Sequence, residues 1–299
     1  MPDASARPPA TDAAALAHVL RRMARAGGPP WLHQELARRI AERLPVLRHA
    51  PQTWLDWWGF TGGGAQAVQA IWPQAKRSVV EPTAALAERS RQALQSPWWA
   101  WGRRRLDASV WLEDEVPDGQ SQMLWSNLNL HASADPAATM AQWHRALAVD
   151  GFVMFSTFGP DTLRELRAVY AELGWPAPHP AYADMHDLGD LMVHAGFADP
   201  VMDQEMLRLT WSSPEALLAE LRGLGGHLGP DRWPGLRTRA WRERLLQALA
   251  SRADAQGRIG MSFELVYGHA YKAAPRRARG EAAIVSLASL RSTLPKRHL

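Results

Sequence analysis

The stretch that most restricts the fold runs from Gln52 to Glu81. A short aromatic and apolar run, Gln52 to Trp58, ends in a glycine cluster, Gly59-Phe-Thr-Gly-Gly-Gly64. A helical stretch from Ala65 to Trp72 follows, with Val68, Ile71 and Trp72 as its inner face, and then a second strand, Ser78-Val-Val-Glu81. Strand, glycine turn, helix and a strand closed by an acid are the frame of a nucleotide-type site. The turn lets backbone approach a ligand, the helix start offers free N–H groups, and the acid can accept both ribose hydroxyls. Asp56 stands at the end of the first strand, and Glu81 lies 25 residues further on. A plain flexible turn with a solvated Glu81 would use the same residues, because the cluster is not a clean Gly-x-Gly-x-x-Gly.

The rest of the chain continues the alternation. Helices are expected from Ala14 to Arg25 and over Leu32, Leu36, Ile40 and Leu44, which recur every four residues. After Glu81 come a helix over Ala84 to Leu94, a weak third strand near Leu106 and a fourth strand from Gln122 to Asn127. Asp135-Pro136 is a helix start, a capping acid before a first-turn proline, and that helix should stop at Asp150-Gly151. Phe152 to Phe158 is apolar throughout, as a strand buried on both faces would be. Past Gly159 the rhythm breaks into amphipathic helices over Leu163–Leu173 and Leu188–Met192. Two alternating strands, Met206–Trp211 and Phe263–Tyr271, flank a helical insertion opened by Ser213-Pro214. This order predicts an α/β fold with a mostly parallel sheet, helices on both faces and an antiparallel edge.

Composition removes several function classes. With no cysteine there is no disulfide, thiolate metal site or cysteine nucleophile, and the 11 histidines show no metal-ligand spacing, so no metal is expected. No apolar run approaches the ~18 residues of a membrane span, and residues 1–13 carry no apolar signal core. A soluble cytoplasmic protein is expected. Lys and Arg total 34 against 30 Asp and Glu, so the formal charge is only +4. The basic runs, Arg103–Arg105 and the tail with Arg276, Arg277, Arg279 and Arg291, read as solvated surface or as a face for an acidic protein; nucleic acid is not expected as a partner. Trp98, Trp99 and Trp101 beside Arg103–Arg105 could stack on nucleobases, but packing is the simpler use.

Several stretches carry a family resemblance: Leu32-His-Gln-Glu-Leu, Trp125-Ser-Asn-Leu-Asn-Leu-His131, Asp135-Pro136, Trp143-His-Arg-Ala-Leu147, Gly151-Phe-Val-Met-Phe-Ser-Thr-Phe-Gly-Pro-Asp, Asp184-Met-His-Asp-Leu-Gly-Asp190 and Ala195-Gly-Phe-Ala-Asp-Pro200. Over residues 32 to 272 they resemble the malonyl-acyl-carrier-protein O-methyltransferases of biotin synthesis. The regions 151–167 and 184–200 are the specific ones. The resemblance implies a doubly wound, mostly parallel seven-stranded sheet of the class I methyltransferase, Rossmann-like kind, its last strand antiparallel, with helical lid insertions at 160–200 and 212–260. The domain is expected over residues 31–275, after an N-terminal arm (1–30, partly disordered) and before a basic tail (276–299). The implied cofactor is S-adenosylmethionine and the implied partner an acyl carrier protein. By position, Asp56, Gly59, Thr61 and Gly62 make the cofactor loop, Glu81 holds the ribose, Asp107 lies by the adenine, and Asn127 by the methionine part.

The departures fall on that loop. Where the family has Asp-x-Gly-x-Gly-Thr-Gly, this chain reads Asp56-Trp-Trp58-Gly-Phe60-Thr-Gly62, so binding of S-adenosylmethionine is expected to be weak or absent unless the register shifts onto Gly59, Gly63 and Gly64. Methylating a carboxylate requires no general base, only orientation of the nucleophile. Thr157, Arg164, His186 and Arg222 are the candidates to orient it, each with a plainer alternative as a strand, surface, capping or helix-end residue. Three functions are in play: O-methylation of a malonyl-carrier thioester, a methyltransferase-like binding protein with a blocked cofactor loop, and a methyltransferase acting on RNA or another substrate.

Overall fold

The computed structural model describes residues 11–46, 50–94, 108–233 and 235–274. Helices α1 (Ala13–Arg25) and α2 (Trp31–Ala41) precede β1 (Thr53–Trp57). The glycine cluster is a single helical turn, α3 (Gly59–Gly62), leading to α4 (Ala65–Ile71). Then come β2 (Lys76–Glu81), α5 (Ala84–Leu94), β3 (Val110–Leu112), β4 (Ser121–Asn127), α6 (Pro136–Ala146) and β5 (Leu147–Phe158). The second half holds α7 (Arg164–Glu172), α8 (Met185–His194), β6 (Ala198–Trp211), α9 (Pro214–Gly223), α10 (Arg239–Ala250) and β7 (Ile259–Tyr271).

The strands form one seven-stranded sheet in the order β3-β2-β1-β4-β5-β7-β6, antiparallel only where β7 meets β5 and β6. Strand order therefore reverses between β1 and β4, the place where open α/β sheets bind ligands. Successive strand residues serve opposite faces. Trp54, Met123, Trp125 and Met154 enter one apolar layer with α2, while Leu55, Trp57, Leu124 and Val153 enter the other with α6 and α8. Local chemistry sets the helix starts. Asp135 caps α6 by accepting from the Ala138 N–H at 3.0 Å ahead of Pro136, and Ser213 caps α9 in the same way.

Several boundaries differ from expectation. The third strand is Val110–Leu112, and Leu106 lies outside the described residues, as do Trp98–Arg105 and the tail 276–299. α6 stops at Ala146 because Leu147 already pairs with Ser121; Asp150, at φ 64°, turns the strand instead of ending the helix. β6 begins at Ala198 and β7 at Ile259, since the two pair along their whole length. Residues 13–25 are no loose arm: Ala15, Val19 and Leu20 of α1 are buried in the core, and the Asp12 N–H donates to the Leu228 carbonyl at 2.7 Å. No helix among the described residues is long and apolar enough to cross a membrane.

Gly268 shows how tightly β5 and β7 are joined. It faces Phe155 in register, and a β-carbon there would lie 2.1 Å from a buried ring carbon of Phe155. Gly268→Ala should therefore lower the unfolding free energy by about 1–3 kcal/mol in a urea melt, through overpacking.

Candidate functional site

β1 ends in a left-handed residue, and that residue is Trp58, at φ 54° and ψ 47°. With Gly59 helical and a second left-handed residue at Gly63, the left-handed conformation at the end of β1 falls on Trp58. An L-residue there costs about 1–2 kcal/mol. Trp58 is held from all sides. Its N–H donates to the Val80 carbonyl (2.6 Å), and its own carbonyl accepts from Gly62 N–H (2.8 Å) and from the Thr61 hydroxyl (3.1 Å). The indole is only 6% exposed. It packs in the layer that holds Val19 and Leu20 of α1, and its N–H donates to Glu113 Oε1 at 2.8 Å. Phe60 is helical and half-buried, with the Arg89 guanidinium 5.2 Å from its ring centre.

The residues expected to hold a cofactor do gather at this turn, but they are turned to one another. Glu81 Oε1 accepts from the Phe60 N–H and the Ser90 hydroxyl, both at 2.7 Å, while Oε2 is buried without a protein partner. Burial pushes the Glu81 carboxyl up to about 7. Asp56 is buried and its Oδ2 takes both Nε and Nη2 of Arg77, at 2.9 and 2.6 Å. Gly59 is small for that pair's sake: a β-carbon would stand 2.8 Å from the Asp56 carboxyl. Asn127 ties three elements, donating to the carbonyls of His33 (2.7 Å) and Gly62 (2.5 Å) and accepting from the Ser156 hydroxyl (2.7 Å). Thr61 is buried and Asp107 lies outside the described residues.

A chamber of about 120 Å³ lies at the C-terminal ends of β1, β4 and β5, roofed by α1 and by residues from 162–166, 178–182 and 221–228. Its polar lining is His33, Thr61, Asn129, His131, Thr162, His179 and Tyr182; no Arg or Lys faces it, and the remainder is mainly apolar. Sequence reasoning missed the histidines, although His33 and His131 stand inside the motifs quoted for the resemblance. Burial keeps them neutral, pulling His33 down to about 4 and His131 to about 3. His33 Nδ1–H donates to the Thr61 carbonyl at 2.8 Å, leaving Nε2 without a partner. His131 packs 4.6 Å from Phe158, and His179 stacks on Tyr182 at 5.0 Å.

The four substrate candidates are not brought together. Thr157 is buried on a small adjoining cavity that it shares with His131 and Tyr182. Arg164 is exposed and pairs with Asp161 and Glu165, because the first turn of α7 points it outward. His186 is exposed against Asp184, the α8 cap that binds it at 2.7 Å. Arg222 is solvated at the end of α9. Arg164 and Arg222 thus sit as surface and helix-end residues, while His186 is not itself the cap of α8 but is bound by the cap, Asp184.

In this arrangement the acid expected to hold the ribose is turned away from the chamber. The orphaned Glu81 oxygen is what a ribose hydroxyl would seek, yet Glu81 is 0% exposed and borders no described cavity. Trp58 forms the chamber wall on that side, and 120 Å³ is well short of the roughly 300–1,000 Å³ of clefts that take drug-sized ligands.

Two measurements test this account. Trp58→Gly relieves backbone strain but removes a buried ring, so it should lower stability by about 2–4 kcal/mol; an unchanged melting midpoint would deny the indole its core role. Unfolded histidine takes up a proton below about pH 6.5, whereas folded His131 does so only near 3. The unfolded state then binds more protons, so stability falls as pH drops through this window. The stability of wild type relative to His131→Phe should accordingly decline by about 1–2 kcal/mol between pH 7 and pH 5 in paired denaturant melts.

No protein-family model matches the chain. It is 38% identical over 260 residues to the malonyl-[acyl-carrier protein] O-methyltransferase of Laribacter hongkongensis, covering 83% of this chain and 85% of the relative. It is 36% identical to that of Gallionella capsiferriformans, covering 85% and 88%. Among solved structures, the YcgJ protein of Bacillus subtilis superposes with a TM-score of 0.51 at 13% identity, over 81% of this chain and 99% of that one; this likeness concerns the fold alone. With a shared fold and a third or more of its residues shared across most of its length, the chain belongs to the malonyl-[acyl-carrier protein] O-methyltransferase family.

Proposed function

We propose that the protein receives a malonyl thioester borne on an acyl carrier protein, with the acyl end in the chamber and segments 160–200 and 212–260 acting as its lid. The single observation that carries this is 38% identity, spread over 83% of the chain, to an enzyme named for that substrate. The first reading is therefore O-methylation of the malonyl carboxylate. That group is ionised at neutral pH and needs no base, and the chamber's buried histidines, held neutral, place no cation beside it. Its apolar wall of Leu128, Phe158, Leu166 and Phe263 suits the uncharged part of an acyl group.

One observation favours a second reading, a binding protein that holds the carrier-borne substrate without methylating it. Trp58 occupies the left-handed position of the cofactor loop and Glu81 is closed off beneath it. The decisive assay incubates the purified protein with malonyl-loaded carrier and S-adenosylmethionine and reads the carrier by mass spectrometry. A methyl ester supports the first reading. Binding of malonyl-carrier without ester, and without calorimetric heat from S-adenosylmethionine, supports the second. Absence of both ester and carrier binding refutes the proposal.

A further inference from the structure

A second, wider space lies outside the chamber. This vestibule, about 610 Å³, is bounded by α1 on one side and by residues 225–236 on the other. It shares Val19, Gly225 and Gly226 with the chamber, so the two spaces meet across that line. Gly225 and Gly226 stand at φ 135° and 110°, conformations that L side chains rarely adopt, and a β-carbon on Gly226 would meet nothing within 4 Å. The partition between vestibule and chamber is thus made by the Val19 side chain and by the bare backbone of Gly225 and Gly226.

The mouth of the vestibule is basic and partly apolar. Arg21 is exposed on α1, and Arg22 beside it is fixed by its bond to the Arg222 carbonyl at 2.7 Å. Arg232, held by Asp12 at 2.8 Å, lines the other side, and an adjoining recess that shares Arg232 and Gly235 carries Arg237, whose guanidinium lies 4.4 Å from the Trp233 ring centre. Of the acids there, Asp12 is engaged by Arg232, while Asp231 is exposed with its carboxylate 3.7 Å from the His227 ring. Leu236 is 98% exposed and Trp233 52% exposed, the latter with the Arg237 guanidinium over its ring. An exposed Leu and Trp ringed by arginines is the composition of a binding surface for an acidic partner.

We propose that an acyl carrier protein docks at this mouth, its acidic surface against Arg21, Arg22 and Arg237 and its apolar contact on Trp233 and Leu236, and that its thioester-bearing arm passes Gly225–Gly226 into the chamber. This rests on the carrier-substrate reading and deepens it. Charge complementarity selects the occupant: a carrier protein is acidic and its arm is joined through a phosphodiester, so both the body and the arm's root match Arg21, Arg22 and Arg237. A nucleic acid would meet the same charge but has no use for a passage into an apolar chamber.

The test is a titration of malonyl-loaded carrier protein into the full chain at low and high salt. It compares wild type, Arg21→Glu with Arg237→Glu, Leu236→Asp, and the control Lys76→Glu, which lies at the opposite end of the sheet at the start of β2. The double reversal should weaken binding about tenfold and flatten its salt dependence, while the control stays within about twofold. Leu236→Asp, a change at a solvent-exposed position that leaves the core intact, should weaken binding as well, and unchanged melting temperatures exclude misfolding. Tight binding by both variants equal to wild type would overturn the docking surface and leave the proposed function standing. Failure of wild type to bind malonyl-carrier at all would overturn that function and the docking with it.

Discussion

The C-terminal end of the sheet is organised by the backbone conformation of one bulky residue. Placing Trp58 in the left-handed region sends its indole under α1 and toward Glu113, and sends the Phe60 N–H toward Glu81. The cost, about 1–2 kcal/mol, is set against a buried ring and the bonds made around it. Gly59 completes the arrangement by leaving room for the Asp56–Arg77 pair, whose two hydrogen bonds fix β1 to β2. The loop is closed on itself, and α1 packs in the same core layer as the Trp58 indole.

The chamber beyond that closed loop differs in character from a charged anion site. Its histidines are buried and neutral, its cations are outside, and its walls are largely apolar. Positive charge lies instead on the rim of the vestibule, where solvent supports it. Such a division suits the root and the uncharged stretch of the proposed carrier-linked arm, while the malonyl carboxylate at its end would stand in the chamber with no cation beside it.

The site residues divide according to how much their roles depend on distant partners. Asp56, Gly59, Thr61, Gly62, Glu81 and Asn127 do converge, because each stands at a strand end or turn whose place follows from the strand–helix order. What they touch was not legible. Asn127 bonds the carbonyl of His33, 94 positions away, and no local pattern records that. Arg164, His186 and Arg222 were chosen for their charge chemistry, and all three proved to face solvent, since helix orientation on the sheet decides which side of an amphipathic helix looks inward.

The sequence by itself determined the alternation of strands and helices, the capped starts of α6 and α9, the antiparallel last strand through the resemblance, and the position of the glycine turn. These depend on short-range periodicity, capping and φ limits, which a few neighbouring residues fix. Only the tertiary structure decided that Trp58 takes a left-handed conformation, that α1 packs in the core, and that Glu81 is buried. Each of these is a competition between local strain and burial against residues far away in the chain. Its outcome depends on how much apolar surface the fold brings together, and that sum exists only once the layers have packed.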